Sequence, residues 1–352
     1  MKKRELNIEP FVSVLTPVYN GEEYLEECIQ SVLNQSYSNW EYVIVNNYST
    51  DRSLEIARKY AETDPRIRVH DNREFLDQMA NLNHAFRQIS LESEYCKVVH
   101  ADDWLFTDCL TQMVKVAEEY PTVGIVSAYR LDGNKVDLDG LSYPSYFSSG
   151  RKIAREYLLH GTSYFGAPSN LLIRSDLIRK RDRVYDESYL RGDTGACFDL
   201  LKESDFGFVH KILTYTRRHD MSVTKRIADQ SHAFIHGELK FQLDFGPYYL
   251  TEEEYKSRIS NRVDLFYILL VRNLLQQRSR ESFEQQVQIF ESLGFKLRIT
   301  KLLTKLIREL CLQSFKLFGF ELHNIPREPS NTKCVDHEKK SIASPAMDKV
   351  LE

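Results

Sequence analysis

The chain has 352 residues, 42% hydrophobic and 28% charged, which is enough for one large core domain with an appendage. A formal charge of −4 excludes the basic excess of a general nucleic-acid binder, so no nucleic-acid partner is expected. Six cysteines with no CxxC spacing exclude a zinc ribbon or a thioredoxin motif, and the segment behind MKKRELNIEP lacks the apolar stretch of a signal peptide, so reduced thiols in the cytosol are expected. No apolar run reaches the length of about 18 residues that a membrane span needs.

Residues 11–16 form a near-continuous apolar run, the pattern of a strand buried on both faces, and Pro17 is expected to end it. Asn20 and Glu23 have capping-box spacing, so a helix is expected to start at Asn20. Tyr24, Leu25, Cys28, Ile29, Val32 and Leu33 would share its apolar face. Residues 40–45 read as a second strand, followed by the polar loop 46–51 and a helix carrying Leu54, Ala57, Tyr60 and Ala61, which Asp64-Pro65 breaks. Residues 66–70 read as a third strand and 75–89 as a helix. The run from Tyr95 then ends in two adjacent acids, Asp102 and Asp103. Alternating strands and helices imply right-handed βαβ units and a parallel sheet. The carboxyl end of such a strand is where open α/β sheets take ligands, and paired hard oxygen donors suit Mg²⁺ or Mn²⁺. Taken alone, the two acids fit a turn or helix cap better.

Further on, residues 109–119 read as a helix, 124–128 as a strand, and 132–150 as a long irregular loop over one face, functional or mobile. Tyr143 and Tyr146 in that loop either stack on an acceptor sugar or simply decorate the surface. A short helix is expected over 153–160, a strand over 171–174, a helix over 193–201, and strands over 206–215 that run out into Thr216, Arg217, Arg218 and His219. The character changes near residue 230. Thr251 and Glu254 form a capping box that opens a long helix bearing Tyr255, Ile259, Val263, Phe266, Leu270 and Leu274. A second helix over 283–293 is closed by Gly294. A third, over 296–318, sets Arg298, Lys301, Lys305 and Arg308 against Leu302, Leu303, Leu306, Ile307 and Leu310. That helix fits peripheral contact with the inner, anionic face of a membrane, or packing on its neighbours with a solvated basic face. The expected organisation is a domain over 1–229, a helical C-terminal module over 230–325 and a disordered polar tail over 326–352.

Several of these stretches carry a family. Residues 12–21, VSVLTPVYNG, resemble the opening strand and loop of family 2 glycosyltransferases. Residues 40–53 resemble that family's second strand, its acids and its Ser-Thr-Asp turn. Asn81-Leu82-Asn83-His84-Ala85 is similar to its helix with Arg-Asn, and His100-Ala101-Asp102-Asp103 to its metal motif. The resemblance implies the GT-A fold, an α/β structure with a mostly parallel sheet flanked by helices, here with a helical module after it. It implies a metal-dependent, inverting transfer from a nucleotide-diphosphate sugar, with UDP the first choice, to a hydroxyl of a glycan or lipid-linked acceptor in polysaccharide biosynthesis. The residues it singles out are Thr16, Pro17 and Tyr19 from the first loop, Asn47 and Asp51 from the second, and Asn83. It further assigns Asp102 and Asp103 to Mn²⁺ or Mg²⁺ and the diphosphate, Asp193 as the base, and Arg217, Arg218 and His219 as a phosphate clamp.

The sequence also departs from the family. Asn46 and Asn47 stand in place of paired acids; Asn47 keeps an acceptor oxygen but can also donate. His100 replaces an acid, and a ribose contact or a satisfied strand-end histidine is favoured over a ligand role, since hard cations rarely need imidazole. Leu82 replaces an arginine, and Gly192 stands where an acid often precedes the base. These exchanges motivate a second reading, a catalytically silent sugar-nucleotide or glycan-binding relative. The retained Asp193 argues against it.

Overall fold

The computed structural model describes residues 9–187, 189, 191–219, 233–276 and 280–317. Strands β1 (Val12–Val18), β2 (Trp40–Asn46) and β3 (Ile67–Asp71) alternate with helices α1 (Leu25–Leu33), α2 (Ser53–Thr63) and α3 (Gln78–Phe86), and the strands pair in parallel. β4 (Tyr95–Val98) adds to the other side of β1. There follow β5 (Trp104–Leu105), α4 (Cys109–Glu119), β6 (Val123–Asp132), β7 (Lys135–Asp137), β8 (Phe147–Ser148), α5 (Gly150–His160), β9 (Leu172–Arg174), α6 (Ser175–Arg179), α7 (Gly192–Leu200) and β10 (Asp205–Thr216). The sheet runs β3-β2-β1-β4-β9-β6-β10-β5, with β7 on β6 and β8 on β10. β3, β2, β1, β4, β6 and β10 all point one way, while the short β9, β5, β7 and β8 run against them.

Side-chain alternation explains why β1 and β2 read as unbroken apolar runs. Leu15, Val43 and Val45 enter a core on one face with Leu82 and Phe86 of α3 and Phe198 of α7. Val14, Tyr42 and Ile44 enter the other with Cys28 and Ile29 of α1 and Met113 of α4.

Three local expectations change. β1 does not stop at Pro17 but continues to Val18. The Leu15 carbonyl accepts from Val99 N on the β4 side, so two residues on the nitrogen of Pro17 faces that side too, where the β1–β4 ladder has already ended at Leu15. The missing N–H therefore costs no ladder bond. α3 is shorter than the periodicity over 75–89 implies, because Asp77 is extended at its start. The loop 132–150 is not irregular throughout: β7 folds back on β6, fixed by Arg130 Nε and Asp137 at 2.9 Å, and β8 pairs with β10.

Past the sheet come α8 (Ala233–Tyr249), α9 (Glu252–Leu275), α10 (Arg280–Ser292) and α11 (Ile299–Leu317). The Thr251 capping box is present in full, with Glu254 N on Thr251 Oγ1 at 3.3 Å and Thr251 N on Glu254 Oε2 at 2.8 Å. Gly294, at φ +87°, takes the left-handed conformation after α10 that Gly alone adopts freely. Leu239, Phe266, Tyr267, Leu270 and Phe290 form a third core, in which the Phe266 and Phe290 rings stack at 4.1 Å. α8 belongs to two cores: Phe241, Phe245 and Tyr249 face the sheet, and Leu239 faces the helices.

α11 is turned differently from the expected basic face. Lys301 and Lys305 point inward to Asp264 of α9, at 2.5 and 2.9 Å, and Glu309 is buried with Arg272 at 3.1 Å. Ile299, Leu303, Ile307 and Leu310 are left exposed on the outer face. The tail expected over 326–352 lies outside the described residues, as does Cys334. Among the described residues the cysteines are unpaired, and no helix is long and apolar enough to cross a membrane.

Gly150, the first residue of α5, sits against the carbonyls that follow α7. A Cβ there would lie 2.1 Å from Ser204 O and 2.8 Å from Leu201 O, both backbone atoms. Gly150→Ala is expected to lower the unfolding free energy in urea by about 2 kcal/mol or more. Unchanged stability would show that this junction can relax.

Candidate active site

The carboxyl edge of β1 and β2 is built from two loops fastened to each other. Asn20 does not cap α1. It sits at φ +49°, and its Oδ1 accepts from Thr50 N at 2.8 Å. Asn20 N donates to Ser49 Oγ, Gly21 N to Ser53 Oγ, and Glu22 N to Asp51 Oδ2 at 2.9 Å. Asp51 Oδ1 accepts from Ser53 N at 2.9 Å. Its carboxylate thus joins the first loop to the start of α2. Thr16 is fully buried with its hydroxyl on Tyr42 at 2.8 Å, so the structure turns it into the core and away from the edge. Pro17 is half-buried. Tyr19 is half-exposed and meets Phe75 edge-on at 4.8 Å, leaving an aromatic pair open at the rim.

A cluster of amides supports the next segment. Asn47 is buried and grips Leu76 from both sides, donating to its carbonyl at 2.7 Å and accepting from its N–H at 2.9 Å. Asn72 Nδ2 donates to Asn47 Oδ1 and to Asn81 Oδ1, each at 3.0 Å. Only an amide does both jobs; an acid at Asn47 would repel the Leu76 carbonyl. Asn83 is buried too, accepting from Val184 N and Tyr185 N and donating to Tyr185 O at 2.7 Å. Asn47 and Asn83 therefore hold backbone in place. Asn83 secures the strap leading into α7, where Gly192 lies against Met79 of α3 and Asp193 is the second helical residue, partly exposed. Asp193 Oδ1 accepts from its neighbour Thr194 N at 2.8 Å, near the positive end of the helix dipole.

The two acids lie in a tight turn after β4, closed by Asp103 N on His100 O at 2.9 Å. Asp103 is buried, and three elements compensate it. Ser169 Oγ donates to Oδ2 at 2.6 Å, Arg217 N donates to Oδ1 at 3.2 Å, and His100 lies close by. Burial pushes its carboxyl up to about 6; His100 opposes the rise and Asp102 adds to it. Below, the fully buried Lys97 donates to Ser169 O at 2.6 Å, and burial holds its ammonium below the usual range. Asp102 is more open and meets His219 Nε2 at 2.9 Å, while its carbonyl accepts from Arg217 Nε. Arg217 also pairs with Glu27 and lies over the Tyr24 ring at 4.4 Å. Arg218 is half-exposed and forked onto Asp132.

The structure thus unites Asp102, Asp103, Arg217 and His219 in one constellation, with Arg218 beside it on Asp132. Among the described residues no hydrogen bond or ion pair joins Asp193 to it. Sequence reading missed Ser169, Lys97, Glu27 and Asp132. Lys97 had a signal: a charge inside a strand buried on both faces demands a partner.

A model described as Glycosyl transferase family 2 matches residues 13–181. EpsE of Bacillus subtilis (strain 168), a provisionally named glycosyltransferase, is 31% identical over 225 residues, covering 63% of this chain and 77% of EpsE. The chain spans only 16% of the glycosyltransferase GlyA of Streptococcus pneumoniae and 30% of EpsH of B. subtilis. The structure of S. aureus TarS 1-349 in complex with UDP-GlcNAc superposes with a TM-score of 0.64 at 14% identity, over 90% of this chain and 95% of that one. The mannosyltransferase PcManGT of Pyrobaculum calidifontis, in complex with GDP-Man and Mn²⁺, gives 0.54 at 14% identity, over 90% and 82%. At such identities the two structures establish the fold.

Because Asp103 is raised from 3.8 to about 6 in the folded chain, the extra proton affinity favours folding below the unfolded value and is lost as pH rises through 6. At neutral pH in EDTA, Asp103→Asn is therefore expected to melt a few degrees above wild type. The gap should close toward about pH 4, where both carry a neutral side chain. A variant that melts below wild type at every pH would show that Asp103 is not under this strain.

Proposed function

The chain belongs to glycosyl transferase family 2, and from that membership we propose that it transfers a sugar, with inversion, from a nucleotide-diphosphate sugar to a hydroxyl of a glycan or lipid-linked acceptor in polysaccharide biosynthesis. UDP is the favoured nucleotide. The observation that carries the reading is the turn after β4, where the buried Asp103 and the open Asp102 lie together with His219 and Arg217.

The donor set fits a hard divalent cation. Asp103 retains acceptor capacity beyond its bonds to Ser169 and Arg217 N, and among the described residues the Asp102 carboxylate has one hydrogen-bond partner, His219. Mg²⁺ and Mn²⁺ are commonly held by one or two carboxylates together with the substrate's phosphates. In this reading Asp102 and Asp103 hold Mn²⁺ or Mg²⁺, which when bound offsets the charge gathering on the leaving diphosphate. Tyr19, with Phe75 behind it, offers a face for the base beside Pro17, and the half-exposed Arg218, held on Asp132, is the guanidinium assigned to the phosphate oxygens. Asn47, Asp51 and Asn83 act through the backbone they brace, and Thr16 through its hydroxyl on Tyr42 in the core. Asp193 takes the proton of the acceptor hydroxyl. Residues 1–229 would supply this chemistry and 230–325 the helical support.

Hydrolysis and transfer with a panel of nucleotide-sugars and Mn²⁺ test this. Asp193→Asn should bind UDP as wild type does and lose roughly 10²–10⁴-fold in transfer, the range of a general base. Transfer at the wild-type rate would remove Asp193 from the role. A wild-type protein that binds nucleotide-sugars yet turns none over would be the silent relative instead.

We also propose that α11 lies on the anionic cytosolic face of a membrane. Ile299, Leu303, Ile307 and Leu310 recur at helical spacing and are exposed, and Lys296, Arg298 and Arg308 flank them in the open. Leu303→Glu with Ile307→Glu should abolish co-sedimentation with vesicles of anionic lipid while leaving hydrolysis of soluble nucleotide-sugar intact. Equal sedimentation of the variant would exclude this face.

A further inference from the structure

Where α7 meets the C-terminal helices, three arginines gather around one carboxylate. Glu238 of α8 accepts from Arg191 Nη1 at 2.8 Å and from the Tyr157 hydroxyl at 3.1 Å, and Arg262 of α9 approaches its other oxygen at 3.5 Å. Arg258 lies one turn before Arg262 on α9, partly buried, and makes no hydrogen bond or ion pair among the described residues. The carboxylate that i,i+4 spacing would give it is Glu254. That group is taken in a fork by Arg155, at 2.9 and 2.7 Å, and by the Thr251 cap. The Nε atoms of Arg258 and Arg262 are both buried and without a partner among the described residues.

This arrangement is costly for the free protein. Like charges one turn apart repel, and a buried donor without an acceptor forfeits its hydration. Burial and the Arg262 charge together hold the Arg258 guanidinium below its usual range. Among the described residues, Arg191, Arg258 and Arg262 carry three positive charges against those of Glu238 and Asp193, both of which act on Arg191. Two guanidinium groups, each with an Nε–H unpartnered among the described residues, offer planar donor edges of the kind that grip an oxyanion. The cluster also lies close to the chemistry in the chain, since Arg191 precedes α7 and Asp193 follows it by two residues.

We propose that Arg258 and Arg262, backed by Arg191 and Glu238, form a subsite for a phosphate group carried by the acceptor. A phosphate supplies several oxygens to two forks, whereas a carboxylate would duplicate what Glu238 already provides. The link to an acceptor rests on the glycosyltransferase reading above; the anion site itself does not.

Titration calorimetry on the full chain, without donor, tests it with inorganic phosphate, glycerophosphoglycerol and glucuronate as probes. Wild type should bind the phosphodiester, and Arg258→Gln should weaken that binding at least tenfold while leaving UDP binding unchanged. Arg258→Gln should melt no lower than wild type, because no bond among the described residues is lost. Arg258→Lys, which keeps the charge but not the fork, covers the case in which the Gln variant does not fold, and should bind the phosphodiester less tightly than wild type. Binding of inorganic phosphate without the phosphodiester would overturn the acceptor assignment. Preference for glucuronate would overturn the phosphate class. Phosphodiester binding equal in wild type and variants would overturn the site. Loss of UDP binding in wild type alongside intact phosphodiester binding would remove the donor reading and leave the anion site standing.

Discussion

Asp103 is buried within the sheet's opening, and distant parts of the chain are arranged to make that burial tolerable. Ser169 reaches it from the turn before β9, Arg217 N from the end of β10, and His100 from the same turn. Lys97, itself buried in β4, holds the Ser169 carbonyl from beneath. A buried carboxylate with fixed donors is expensive to assemble and hard to displace. Its position is thereby fixed, and Asp102, the next residue back, is presented at the surface by the same turn. The antiparallel β9 is part of this, because it brings Ser169 between β4 and β6.

The second organising device is made of amides. Asn46, Asn47 and Asn72 lie where β2 and β3 end; Asn47 and Asn72 bond to each other, to Asn81 of α3 and to the Leu76 backbone, while Asn46 donates to the Asp71 carboxylate. An acid accepts only, so paired acids there would have to look outward for donors. Amides donate as well and can close the network on themselves. Asn46 Oδ1 and Asn72 Oδ1 are the atoms it leaves without a partner among the described residues.

Much of the fold could be read from periodicity, since strands buried on both faces and helices with one apolar stripe leave plain local patterns. Val14 and Leu15 fell on opposite faces as the period of two requires. What local pattern could not show was the partner of a polar side chain. Asn20 and Glu23 have capping-box spacing, yet Asn20 found Thr50, thirty positions along the chain. Lys301 and Lys305 looked like a solvated face until Asp264 on another helix drew them in. Asp102 and Asp103 were legible as a motif, whereas Ser169 was not, because nothing in its neighbourhood marks it as the donor to an acid 66 positions earlier. The arginines around Glu238 escaped for the same reason.

α8 presents one stripe, Phe241, Phe245 and Tyr249, to the sheet and another, Leu239 with Leu243, to the helices. A helix shared by two cores cannot leave one without exposing part of the other. The sheet and the helical bundle are therefore coupled in their unfolding, and heat should melt them as one cooperative body rather than in two steps. The same sharing makes the start of α8 a poor place for evolution or an engineer to exchange modules. Any new partner bundle would have to arrive with an aromatic stripe cut to fit Phe198 and Tyr189.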